Sequence, residues 1–453
     1  MFTLSEVARV VKAKNPLKFD GDWTLNKVEF DSRLIEEGDL FVPLKGARDG
    51  HDFIDLAFEK GARASLSDRE LETDQVYFWV EDVLTAFQDL AAYVLEKSQV
   101  DVLAITGSNG KTTTKDMLAH LLATTYPTYK TQGNYNNEIG LPYTILHMPL
   151  GTEKLVLEMG QDHLGDISLL SHLAKPKAAA VTIVAEAHLE FFKDRREIAQ
   201  GKLQIADGMP EGALLLVPSD PLLDDLLPAQ VDVKRFGPGG DIELFDLKEN
   251  RDSLQFKTNF MNGVVEVPLP GRYNASNAMV AAYLAKEEGV PESVILDAFP
   301  SLVLTKNRTE WKTAQNGAAI LSDVYNANPT AMRLILETFS NLPKEGSGRK
   351  LAVLADMKEL GQESEALHMS MITSLNPEDL DKIYFYGQEI ESLAKLAAEI
   401  FPLGQVLYYP TEDFEALQEA IVTDLKDQDQ ILLKGSNSMN LAKIVDILEG
   451  KTL

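Results

Sequence analysis

The run Gly107-Ser108-Asn109-Gly110-Lys111-Thr112-Thr113 carries the most specific chemistry in the chain. Glycines let the backbone curl until its N–H groups face phosphate oxygens, the following helix N-terminus adds partial positive charge, and Lys111 reaches the outer phosphates. Thr112 is then placed to ligate Mg²⁺. The usual G-x-x-x-x-G-K-[ST] spacing wants glycine at 105, where this chain has isoleucine, so the loop is a shortened GxxGKT form. A magnesium site needs hard oxygen donors near the phosphates. Glu158 closes the apolar run LVLEMG, where a parallel sheet presents a carboxylate at its C-terminal edge. His188 follows the next buried run, in TIVAEAHLEFF, and is a candidate metal or water ligand at similar depth. Each has a plainer reading too: a glycine turn that binds nothing, and a packed or solvent-facing histidine.

Such residues need a strand–turn–helix core to hold them, and the surroundings supply one. The segment DVLAITGSNGKTTTKDMLAHLL reads as an apolar strand, a glycine turn and an amphipathic helix. Further buried-strand candidates at Leu155 to Met159, Ala178 to Val184 and Ala213 to Val217, separated by helical patterns, predict a mainly parallel sheet. Upstream, residues 1–98 mix short strands and short helices, as a small α/β unit would. Downstream, apolar runs at Ala318 to Leu321, Leu351 to Ala355, Lys382 to Tyr386, Val406 to Tyr409 and Gln430 to Leu433 alternate with helical patterns, the mark of a Rossmann-like, doubly wound domain. The expected fold is therefore α/β with three domains, 1–98, 99–310 and 311–453, in line with 453 residues at roughly 150 per domain.

Composition narrows the partners. The formal net charge of −27 opposes any general attraction to nucleic acid or an anionic membrane, so an anionic ligand must meet a local cluster of basic groups. There is no cysteine, which removes disulfides, thiolate zinc sites and cysteine nucleophiles together. The start lacks the apolar stretch of a signal peptide, and no window approaches the ~18–20 apolar residues that span a bilayer. The expectation is a cytoplasmic protein without membrane insertion.

Twelve segments in order resemble the Mur ligases, ATP-dependent amide-forming enzymes of peptidoglycan precursor synthesis. They are DSR, GDLFVPLKGARDGHDFI, TGSNGKTTT, GNYNNEIGLP, LEMG, EAHLE, the Lys202 segment, GRYNASNAMVAA, KNRTEW, DVYNANPTAM, LADMKELG and LLKGS. The resemblance implies ATP and two Mg²⁺ ions as cofactors. It implies UDP-N-acetylmuramoyl-tripeptide and D-alanyl-D-alanine as substrates, and a chain that works as a monomer. It assigns the first domain to UDP binding, the central one to ATP, and catalytic roles to Lys111, His188 and Lys202.

Position by position, Lys202 matches the lysine that the family carbamylates. Carbon dioxide needs the neutral amine, about one in a few thousand at pH 7 for an ordinary lysine, so burial near cations must depress its pKa. The product would ligate metal with Glu158 and His188. Asn274 and Asn277, three apart on one helix face, match adenine contacts. The family usually shows His-Asn where this chain has Tyr273-Asn274. Arg308 matches an arginine that reaches the ATP phosphates, and Asp323 an aspartate that meets the ribose. Ser32, Arg33, Lys45 and Arg48 would form a basic pocket for the uridine diphosphate. Asn134 and Asn137 would line the passage of the muramoyl and peptide groups. Asn326 and Asn328 would place the reacting peptide or dipeptide, and Lys434 would complete the closed site.

Two rival readings stay open at this level. A folylpolyglutamate synthase shares the loop and the amide chemistry, but the DSR, DGHDFI and NANPTAM segments are foreign to it. A phosphate-loop kinase or nucleotide switch would leave Lys202, the Asn274–Asn277 pair and Arg308 without a role.

Overall fold

The computed structural model describes residues 2–16, 21–187, 189–303 and 309–451. In the first unit, β1 (Val28–Glu29), β2 (Leu40–Phe41), β3 (Ala64–Ser67) and β4 (Tyr77–Trp79) form a parallel sheet in that order. Helix Val83–Ser98 covers it. Asp82 caps the helix by accepting from Thr85 N at 2.7 Å, and its buried stripe of Val83, Ala86, Phe87, Leu90 and Ala91 follows the three-to-four spacing of a core-facing helix.

The central unit is built on β5 (Asp101–Thr106), β6 (Thr128–Lys130), β7 (Lys154–Glu158), β8 (Ala178–Val181), β9 (Leu214–Pro218) and β10 (Asp232–Phe236), all parallel in the order β10-β9-β8-β5-β7-β6. Strands β7 and β8 are buried at every residue and β5 at every residue after Asp101, because helices cover both faces; this is why they read as unbroken apolar runs. On one face, helix Lys111–Ala123 packs against helix Arg272–Glu287, and the alanines at 278, 281, 282 and 285 belong to the core shared with Met117, Leu118 and Leu121.

A feature that was not expected follows β10. Strands β11 (Leu244–Glu249), β12 (Leu254–Thr258) and β13 (Met261–Val267) form a separate antiparallel sheet. Its buried face joins the central core through Leu254, Phe256, Val265 and Val267, while alternate residues face solvent.

The last sheet runs β14 (Glu310–Thr313), β15 (Ala319–Asp323), β16 (Lys350–Ala355), β17 (Lys382–Tyr386), β18 (Val406–Tyr409) and β19 (Gln430–Lys434) in the order β14-β15-β19-β16-β17-β18. All pairs are parallel except β14 on β15. The α/β class with parallel central and C-terminal sheets is as the sequence predicts; the antiparallel edge strand is an addition.

Parallel strands end at a common edge, and that edge is where loops can hold ligands. In both large sheets the opposite edge is occupied by ion pairs. Lys154 and Lys177 meet Asp101 and Glu288 in the central unit, and Arg349 meets Asp424 and Asp429 in the C-terminal one. Exposed loops also lie on that side, with Leu150 ahead of β7 85% accessible and Leu403 ahead of β18 fully so, at 106%.

Candidate active site

The phosphate loop leaves β5 and enters helix Lys111–Ala123 through two glycines in left-handed or related conformations. Gly107 has φ +144°, and a Cβ there would lie 2.0 Å from Thr182 Oγ1; Gly110 has φ +83° and abuts Asn277 Oδ1. Only glycine meets both demands at once. The loop is stapled to its neighbours by its own side chains. Ser108 Oγ donates to Ala185 O and accepts from Ala185 N, both at 3.0 Å, and Thr182 Oγ1 donates to Asn109 O at 2.5 Å. Lys111 Nζ donates to Gly107 O at 2.8 Å, so the amine sits over the mouth of the loop.

Thr112 and Glu158 come together as the strand order requires, since β5 and β7 are neighbours. Thr112 Oγ1 donates to Glu158 Oε2 at 2.8 Å, and Asn136 Nδ2 donates to the other carboxylate oxygen at 2.8 Å. Asn136 was missed in the sequence. It lies between the two asparagines singled out there, and nothing in a polar loop distinguishes the inward residue. Of those two, Asn137 lines the cavity and accepts from Gly140 N at 2.9 Å, whereas Asn134 is exposed and outside the lining.

Lys202, on helix Arg195–Leu203, is 2% exposed and lines the same cavity. Burial, with the charge of Lys111 as a further cause, pushes its amine well below the usual lysine range, against the opposing pull of Asp162. A shift in that direction favours the neutral amine that reaction with carbon dioxide requires. His188 and Arg308 lie outside the described residues.

The other wall belongs to the C-terminal unit. Asp323 and Lys434 are register partners at the ends of β15 and β19, and Lys434 Nζ donates to Asp323 Oδ2 and to Asn326 O, both at 2.6 Å. Asp323, Tyr325, Asn326 and Lys434 face the cavity, which measures about 330 Å³, across from Lys111, Thr112, Glu158 and Lys202. Asn277 lines it as well. Asn274 is buried one turn back, donating to Pro270 O and accepting from Asn277 Nδ2. Tyr273, where the family has histidine, is in the wall, with its hydroxyl 2.7 Å from that of Thr309. Asn328 caps helix Pro329–Asn341 and is not in the lining.

Ser32, Arg33, Lys45 and Arg48 lie in the first unit, apart from this cavity. Asp31 grips Arg33 through two nitrogens, Asp68 pairs with Lys45 at 2.6 Å, and the Arg48 guanidinium stacks 4.6 Å from the Phe53 ring centre. Arg33 nonetheless keeps 83% of its side-chain surface accessible.

Among the described residues, no three His, Asp or Glu side chains converge on one point. The hydroxyl of Thr112 and the carboxylate of Glu158 are hard oxygen donors at the phosphate-loop mouth. That donor set fits a magnesium ion that keeps water and phosphate oxygens for its remaining positions.

A phosphate loop at the edge of a parallel sheet, faced by a carboxylate and a buried lysine and walled by a second α/β unit, defines an enzyme of the nucleotide-binding, phosphate-loop class. Residues 105–285 match the Mur ligase middle domain and 307–437 the Mur ligase, glutamate ligase domain. The chain belongs to the Mur ligase family. It is 36% identical to the UDP-N-acetylmuramoyl-tripeptide--D-alanyl-D-alanine ligase of Bacillus subtilis, covering 99% of this chain and 98% of that one. Its structure is similar to that of MurF from Acinetobacter baumannii, with TM-score 0.89, 26% identity and 99% of each chain covered. It is also similar to the MurF ligase of Thermotoga maritima in complex with ADP, with TM-score 0.82 and 31% identity over 94% of this chain and 97% of that one.

Proposed function

We propose that this chain joins D-alanyl-D-alanine to UDP-N-acetylmuramoyl-tripeptide in an ATP-dependent ligation that yields the pentapeptide precursor of peptidoglycan. The observation that carries the reading is the convergence of Lys111, Glu158, Lys202, Asp323 and Lys434 on one cavity between the central and C-terminal units. Full-length likeness to ligases of that name supports the choice of substrates.

A carboxylate does not condense with an amine at neutral pH, because the oxygen to be lost is a poor leaving group. The terminal carboxylate of the tripeptide attacks the γ-phosphate of ATP, giving an acyl phosphate and ADP. The phosphate-loop N–H groups and Lys111 stabilise the charge that spreads over the transferring phosphoryl oxygens. Asn277 and Asp323 orient the nucleoside, with Asn274 and Arg308 as further contacts. The free amine of the dipeptide then attacks the acyl carbon, and the tetrahedral intermediate collapses to amide and inorganic phosphate. Asn326 and Lys434 hold the C-terminal wall that keeps water from the acyl phosphate. Thr112 and Glu158 would hold one magnesium ion, and His188 with carbamylated Lys202 would share a second with Glu158. When bound, such ions neutralise phosphate charge.

Residues 1–98 would receive the uridine diphosphate through Ser32, Arg33, Lys45 and Arg48, with residues 99–310 as the ATP domain and 311–453 as the closing one. Asn134 and Asn137 would line the junction where the muramoyl and peptide groups pass. The work of such an enzyme lies in the cytoplasm, where nucleotide-activated substrates and ATP are found.

The test offers ATP, Mg²⁺ and D-alanyl-D-alanine with UDP-muramoyl tripeptides carrying lysine or diaminopimelate in turn, and identifies the product by mass. One of the two should be elongated by the dipeptide; elongation of neither overturns the reading.

A further inference from the structure

Among the described residues, the Arg251–Glu345 ion pair and two further groups of contacts join the C-terminal unit to the central one. One group hangs on the start of the C-terminal unit itself: Trp311 Nε1 donates to Arg251 O at 2.9 Å, and the Tyr273 and Thr309 hydroxyls meet. The other joins residues well beyond that point to the loops around the phosphates. Thr330 Oγ1 donates to Glu186 Oε2 at 2.8 Å, Glu190 N donates to Glu359 O at 3.0 Å, and Asn109 and Asn328 form a reciprocal amide pair.

That pair has a fixed sense. Asn328 Oδ1 accepts from Ala331 N at 2.8 Å as the cap of helix Pro329–Asn341, which fixes which end of the amide is oxygen and leaves Nδ2 to donate to Asn109. It donates to Asn109 Oδ1 at 2.9 Å, and Asn109 Nδ2 fills the second lone pair of Asn328 Oδ1 at 3.1 Å. Both polar atoms of Asn328 are thereby committed, one of them twice. The peptide at the tip of the phosphate loop is held on one side by Thr182 and on the other by this amide, while Gly110 beside it abuts Asn277.

We propose that Asn328 is a positioning residue that acts through Asn109, locking the tip of the phosphate loop when the C-terminal domain docks and so coupling nucleotide binding to domain closure. The inference rests on the ligase reading above. The pair is neutral, so it adds no charge beside a triphosphate. It joins the phosphate loop of the central unit to the N-terminus of a helix of the C-terminal unit. A ligand favouring the docked arrangement and a contact made only there reinforce each other by linkage.

The test uses the full chain with Asn109→Ala, Asn328→Ala, the double variant and Asn328→Asp. Aspartate caps a helix as well as asparagine does, so it keeps the helix start, but it sets a carboxylate oxygen against Asn109 Oδ1 and a negative charge beside the phosphates. Two readouts are compared: kcat and KM for ATP, and the radius of gyration from X-ray scattering with a non-hydrolysable ATP analogue and Mg²⁺. Each alanine variant should lose roughly tenfold in kcat/KM for ATP, as expected for two neutral hydrogen bonds. The double variant should be no worse than either single one, Asn328→Asp should lose at least as much as Asn328→Ala although it keeps the helix cap, and the alanine variants should stay extended with the analogue bound. Losses that multiply in the double variant, or compaction of the variants equal to that of wild type, overturn the proposal. If wild type makes the pentapeptide and the losses multiply, the coupling alone falls. If wild type makes no product, the ligase reading falls and the scattering comparison still decides the coupling.

Discussion

Thr112 and Glu158 stand 46 positions apart in the chain and share a hydrogen bond of 2.8 Å at the mouth of the phosphate loop. The bond exists because β5 and β7 are neighbours in the sheet while the helix after β5 turns its first residues back over the strand ends. Replacing Glu158 with glutamine keeps the shape and removes the charge. Ligation should then fall by about 10²–10³, the range seen when one transition-state electrostatic contact is lost, and raising Mg²⁺ should not restore it. Equilibrium binding of ATP without metal, measured by calorimetry, should persist. Unchanged turnover would show that Glu158 is only a buried strand end.

Lys202 sets function against stability. A buried amine with a depressed pKa costs folding free energy at neutral pH, because the unfolded chain takes up a proton that the folded one excludes. Over the interval between the folded pKa and the unfolded value of about 10.4, this contribution makes wild type more stable as pH rises. Lys202→Met should raise the melting temperature at pH 7, lose that dependence on pH, and abolish ligation. A lower melting temperature with the slope intact would contradict the burial argument.

The Lys434–Asp323 pair joins two adjacent strand ends, and Lys434 also anchors the Asn326 carbonyl. Lys434→Met leaves a carboxylate at the cavity wall without its cation. Losing one partner of a buried pair costs about 3–5 kcal/mol, and the lower end applies because Asp323 keeps some access to solvent. Urea denaturation should show the loss, together with a higher KM for ATP. An unshifted midpoint would mean that the pair contributes nothing to the wall.

Gly107→Ala meets a wall of a different kind. The added methyl would lie 2.0 Å from Thr182 Oγ1 and 3.0 Å from Thr182 N, at a φ that L-residues rarely adopt. Nucleotide binding should be lost. Trimming Thr182 to alanine in the same chain should not recover it, since the backbone nitrogen and the dihedral remain; full recovery would locate the constraint in the threonine hydroxyl alone.

The phosphate loop and Glu158 were legible because a local pattern encodes them: glycine spacing between an apolar strand and a helix, and a charge ending a run buried on both faces. Lys202 was not, since its helix is polar enough to read as solvent-facing and only resemblance to a family singles it out. Asn136 was passed over because a loop of asparagines gives no period by which to choose the inward one. The antiparallel sheet of Leu244–Val267 has alternate residues of MNGVVEV buried, yet its strands are short and the sequence reading placed no element there. The partner of Asn328 lies 219 positions away, a distance over which no window of sequence carries information.

Because both large sheets turn their chemistry to one edge, the loops at Leu150 and Leu403 on the other edges are free of it, and the chain has no thiol of its own. Cysteines introduced at these two positions would therefore take a fluorescent donor and acceptor without side reactions, one dye on each domain. Their energy transfer would report in real time, turnover by turnover, whether the C-terminal domain moves against the central one, in an enzyme whose reacting groups carry no label.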